Sequence, residues 1–183
     1  MSSLSQGGGN ASRSTLVWDL FVRVFHWSLV AAFGAAYILS EDGGTLHHAL
    51  GYAVLGLVAA RIVWGFAGTY HARFANFVPT PRAFAEYARA MVAGRERRYL
   101  GHNPVGGAMI IALLVLLTAT GVTGWLLTTN AFWGSEALET LHEASANAVL
   151  VCVAVHVGGV LLASWRHREN LVSAMLTGRK RKD

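Results

Sequence analysis

Residues 141–157, LHEASANAVLVCVAVHV, carry two histidines, His142 and His156, fourteen positions apart in a long apolar run. Neutral imidazole is a good ligand for iron, copper or zinc. Fourteen steps of about 100° bring a helix back to within roughly 40° of its starting face, and they separate the two rings by roughly 21 Å along the axis. One stripe therefore offers a ligand near each edge of a hydrocarbon layer about 30 Å thick, as two stacked membrane cofactors would need. The same spacing recurs between His47 and Arg61 in a second apolar run. One turn below His47, Gly51 lets a flat group approach the backbone. A fifth ionisable side chain, His26, lies deep in a third run, where its cost suggests function.

The elements that position these residues follow from composition and charge. Of 183 residues, 54% are hydrophobic and 14% charged, against about a quarter charged in soluble proteins. The apolar residues are blocked into four segments at about 17–39, 46–67, 105–128 and 137–165, each long enough to span a bilayer. Residues 1–15 are rich in Ser and Gly and read as a disordered tail without the basic start and apolar middle of a signal peptide. All fifteen Lys and Arg fall near the N-terminus, at Arg61, between Arg73 and Arg98, or from Arg166 onward. The connections at 40–44 and 130–136 have none, so the net charge of +5 reads as membrane topology rather than nucleic-acid binding. The expected fold is an all-α, four-transmembrane-helix up-and-down bundle with both termini cytoplasmic and a basic tail from 167 to 183. Between the second and third spans, a short amphipathic helix around residues 82–92 would lie on the membrane surface with its arginines toward lipid phosphates. Segment three has no charge or histidine, and Gly106, Gly107, Gly121 and Gly124 mark it as a close-packing wall.

Topology assigns a depth to each histidine. His26 and His156 fall in the cytoplasmic half, while His142 and either His47 or His48 fall near the outer face. Each level pair comes from two helices, as bis-imidazole ligation of a planar cofactor requires. The competing readings are helix–helix hydrogen bonds or a proton path. Zinc is disfavoured because each level offers two histidines and no third or fourth ligand. Arg61 needs a counter-charge, which an Asp19 ion pair or a cofactor carboxylate would supply, and Arg23 is a second candidate for the carboxylate. Asp19 and Arg23 are themselves spaced to pair as i, i+4 neighbours. The single cysteine, Cys152, reads as a small buried hydrophobe, and no Cys-x-x-Cys-His motif for covalent haem attachment is present.

The motifs VWDLFVRVFHW, LHHALGYAVLGLVAARIVWG, HARF, YLGHNP, LHEASAN and HRENLVSAMLTGRKR resemble the bacterial cytochrome b561 family, which includes the b-type cytochrome subunits of membrane nickel–iron hydrogenases. The resemblance covers residues 16–182. It implies two non-covalent haem b groups and a quinone-linked electron-transfer role. It selects His47 over His48 as the second-helix ligand, with His26, His142 and His156 at the other ligand positions. Electrons would then pass across the bacterial inner membrane between the quinone pool and a periplasmic partner, such as a hydrogenase or cytochrome c subunit. Glu136, Glu139 and Glu143 form a candidate acidic rim for that partner, and the candidate quinone site is His71, Arg73, His102 and Asn103. A homodimer is compatible with this reading. The alternative within the family is a stand-alone superoxide:quinone oxidoreductase, and outside redox chemistry a membrane scaffold or transporter subunit. No Gly-x-Ser-x-Gly, phosphate-binding glycine loop or His-Glu-x-x-His motif points to other catalysis.

Overall fold

The computed structural model of the protein describes residues 14–41 and 44–182. Four long helices dominate: α1 (Leu20–Ile38), α2 (Thr45–Ala67), α5 (Pro104–Leu127) and α6 (Glu136–Arg166). Between α2 and α5 lie a single 3-10 turn (Tyr70–Ala72), α3 (Phe74–Phe77) and α4 (Pro81–Val92), and α7 (Leu171–Thr177) follows α6. Each start has a local chemical cause. Asp19 caps α1 by accepting the Val22 N–H at 2.8 Å, which delays the helix until Leu20. Thr80 caps α4 and Asn103 caps α5, each followed by a proline whose missing N–H costs nothing at the first helical position. Asn170 caps α7, which ends at Gly178 with φ 78°, a left-handed turn suited to glycine.

The four helices pack in sequence, α1 on α2, α2 on α5 and α5 on α6. The Tyr37 hydroxyl donates to Asn147 Oδ1 at 2.9 Å and ties α1 to α6, which closes an up-and-down bundle. The buried core is Phe25, Val54, Val58, Leu114, Leu117 and Val149. Val149 lies seven residues from both His142 and His156, so the packed layer separates the two histidine levels. Small residues allow this closeness. A side chain at Gly107 would strike the Phe77 carbonyl, one at Gly121 the Leu55 side chain and one at Gly124 the His142 ring.

All four helices are long and apolar enough to cross a membrane. Large apolar side chains such as Ile38, Phe66 and Leu161 stand outward at 79%, 74% and 60% exposure. An apolar belt of this extent requires lipid. The protein is a multi-pass membrane protein.

Two short strands, β1 (Ser14–Leu16) and β2 (Arg179–Arg181), pair antiparallel and join the two chain ends at one end of the bundle, here called the ribbon end. This corrects the reading of residues 1–15 as a tail without structure. Residues 1–13 lie outside the described residues, but Ser14 and Thr15 belong to a strand. The basic tail, too, carries α7 and β2. A strand of three residues shows no hydrophobic period, so only its distant partner defines it.

Candidate cofactor sites at two levels of the bundle

At the end opposite the ribbon, a cavity of about 540 Å³ opens between α1, α2, α5 and α6, with His47, His48, Gly51, Tyr52, Gly124 and His142 among its lining. The ring centres of His47 and His142 are 6.2 Å apart. Two imidazoles bound to one metal ion through bonds of about 2 Å need a similar spacing. His47 Nδ1 lies 2.9 Å from the Ala36 carbonyl oxygen, and His142 Nδ1 lies 2.9 Å from that of Thr120. A carbonyl only accepts, so both Nδ1 atoms carry the proton, and neither Nε2 lone pair has a partner among the described residues. His48 has no such orienting carbonyl among the described residues, and its ring stands 6.0 Å from that of His47. A side chain at Gly51 would meet nothing within 4 Å. Gly51 thus leaves a bare stretch of backbone beside the cavity. Imidazoles held in one tautomer beside a cavity of this size fit the ligand pair a haem would need.

At the ribbon end, His26 of α1 and His156 of α6 are electrostatic neighbours. His26 Nδ1, Arg61 Nη1 and Arg23 Nε are all buried without a hydrogen-bond partner. Arg61 is 3% exposed. Its Nη2 donates to the Ala72 carbonyl at 3.1 Å, and its guanidinium carbon stands 5.3 Å and 5.9 Å from the Phe74 and Phe77 ring centres. Phe74 in turn presses on the bare backbone of Gly65. Asp19 gives Arg61 no direct ion pair. Its oxygens accept from Val22 N, Trp64 Nε1 at 3.1 Å and Thr69 Oγ1 at 2.6 Å. Nor does Asp19 pair with Arg23, whose Nη2 donates to the Leu176 carbonyl at 2.5 Å. Each buried donor left unpaired costs about 1–3 kcal/mol. Two such guanidinium atoms on one end of the bundle fit the carboxylates of a haem edge.

The remaining sequence candidates separate into two groups. His71 and His102 come together across Gly101, where a side chain would stand 2.9 Å from His71 Nδ1. The His102 ring is held between Trp18 at 4.5 Å and Phe77 at 4.8 Å, with Nδ1 buried and unpartnered. Burial, then the charges of Arg61, Lys180, His71 and His156, push the His102 pKa down to about 3, so the ring is neutral. Burial and Lys180 likewise lower that of His71. Arg73 and Asn103 are committed elsewhere. Arg73 Nε donates to the Gly68 carbonyl at 2.7 Å, and Asn103 Oδ1 accepts from Gly106 N at 2.7 Å as the α5 cap. Phe74, Phe77 and Lys180 escaped the sequence reading, and Trp18 reads from sequence only as an interfacial anchor beside Trp27. Nothing local marks the two phenylalanines, and Lys180 is one charge in a basic tail.

Residues 17–178 match the family model described as prokaryotic cytochrome b561. Similar curated proteins are each named probable Ni/Fe-hydrogenase B-type cytochrome subunit. The one from Azotobacter vinelandii is 25% identical over 96% of this chain and 94% of its own length. Those from Bradyrhizobium diazoefficiens and Cupriavidus necator are each 22% identical, covering 90% and 93% of this chain and 85% and 88% of their own. No solved structure matches. The match spans all four membrane helices and both histidine levels, and the chain belongs to the prokaryotic cytochrome b561 family.

Proposed function

We propose that the protein is a di-haem b-type cytochrome of the bacterial inner membrane that passes electrons between a periplasmic redox partner and the quinone pool. The observation that carries this reading is the His47–His142 pair, with ring centres 6.2 Å apart, both Nδ1 atoms on carbonyls and both residues lining the cavity. His47 and His142 would hold the outer haem, and His26 and His156 the inner one. Bound haem supplies reversible one-electron transfer at iron. The protein's own part is to orient the imidazoles, exclude water with the Val54, Val58 and Val149 layer, and offer Arg61 and Arg23 to the inner carboxylates. The positive-inside charge pattern supports cytoplasmic termini, which makes the ribbon end cytoplasmic.

His71 and His102 are the better supported half of the proposed quinone site, since they lie together across Gly101 and His102 Nδ1 has no hydrogen-bond partner. Arg73 and Asn103 frame them. On the outer side α6 is 31 residues long, about 46 Å, and exceeds the roughly 30 Å hydrocarbon core. Its first turns, with Glu136, Glu139 and Glu143, stand as an acidic platform for a partner. The names of the relatives point to a nickel–iron hydrogenase in that role. The test is a haem count and redox titration of the purified chain, followed by hydrogen-dependent quinone reduction with the co-expressed hydrogenase. Two b haems per chain and coupled reduction are expected. A chain that binds one haem or none when fully supplied would sink the di-haem reading.

A further inference from the structure

The ribbon buries a lysine that the proposed function does not use. Strand residues alternate sides, and in β2 Arg179 and Arg181 face out while Lys180 faces in at 6% exposure. An apolar side chain would seal that position at lower cost, since a buried ammonium must be compensated. Lys180 Nζ donates to the Tyr99 carbonyl at 3.1 Å and stands 3.5 Å from Glu169 Oε2. Its charge is felt by both His71 and His102, and His102 is in turn an electrostatic neighbour of Arg61 and His156.

The strand that carries Lys180 is fastened from several directions. The Gly178 carbonyl accepts from Val17 N at 2.8 Å and Trp18 N at 3.1 Å, and the indole of that same Trp18 covers His102. Arg23 holds the Leu176 carbonyl. Arg98 donates to the Arg181 carbonyl at 2.6 Å and pairs with Glu169 at 2.9 Å. Opening β2 would therefore withdraw Lys180 and release Trp18 from His102 together.

We propose that the C-terminal strand is a strap that closes the inner site, and that Lys180 is a positioning residue whose charge tunes the redox group held there. The inference rests on the reading of His26 and His156 as the inner haem ligands. A nearby positive charge favours the electron-bearing form and raises a midpoint potential, while a negative charge lowers it. Lys180 and Glu169 should therefore act with opposite signs.

The experiment is a spectroelectrochemical titration of the full chain in detergent, with the inner wave assigned as the one lost in His156→Ala. Lys180→Met is expected to shift that wave to lower potential and Glu169→Gln to shift it to higher potential, with the outer wave unmoved in both. Shifts of the same sign, or none, would overturn the electrostatic role. If His156→Ala removes no wave, the haem assignment itself has failed. Hydrogen exchange without added haem then tests the strap alone. A chain stopped after Thr177, which lacks the Gly178 carbonyl and β2, should exchange faster at residues 17–22 and 99–103, and unchanged exchange there would overturn the closure.

Discussion

Single side chains carry the sharpest consequences. On the proposed di-haem reading, His142→Ala should remove the outer haem and His156→Ala the inner one, read as a fall from two b haems per chain to one with the other spectrum intact. His47→Ala should match His142→Ala, whereas His48→Ala should keep both haems, because only His47 is oriented by the Ala36 carbonyl. The Gly124 position is equally demanding. A Cβ there would stand 2.9 Å from His142 Cε1, so Gly124→Val should displace the ring and cost outer-haem occupancy about as much as deleting it. Haem stoichiometry of the purified variants checks each case. Arg61 belongs to this scale as well. A charged side chain at such depth costs on the order of 3 kcal/mol on insertion scales, and the contacts it makes, one carbonyl and two aromatic faces, leave Nη1 unused.

Among the elements, α6 carries both His142 and His156, and the segments at the ribbon end are those proposed to close the inner site. Glu96 and Glu169 anchor that end. The hydrogen bond from Arg166 holds the Glu96 carboxyl below its ordinary range. Burial alone would raise that of Glu169, but Arg98, Lys180 and the Arg181 N–H outweigh it and the net shift is downward. A carboxylate whose folded pKa is depressed contributes stability above its unfolded value and loses it as pH falls through the folded one. Limited proteolysis of the C-terminal tail should therefore accelerate below about pH 4.5, and Glu169→Gln should weaken that dependence while leaving α1, α2, α5 and α6 intact. A tail equally resistant at pH 3 and pH 7 would contradict it.

For the whole molecule, His102 links stability to pH over a higher window. Its folded pKa of about 3 lies below the ordinary 6.5, so the unfolded chain binds a proton that the folded chain refuses. Stability is full above about pH 6.5 and declines steadily toward pH 3. Thermal unfolding of the protein in detergent should fall across that window, and His102→Phe should flatten the decline. Much of this molecule is legible from order along the chain. Hydropathy blocks of fixed length give the four spans, because helix rise is a constant, while the placement of Lys and Arg and the fourteen-residue stripes supply the orientation and the two ligand levels that are proposed. The fate of Arg61 was not legible. Nothing local says that Asp19 spends its oxygens on Val22, Trp64 and Thr69, because those partners lie on different elements. The choice between His47 and His48 on physical grounds, the sandwich of His102 between Trp18 and Phe77, and the inward turn of Lys180 likewise depend on contacts between distant segments. Sequence periodicity reports a single helix against its surroundings, whereas these contacts are made only when the two ends of the chain meet over the bundle.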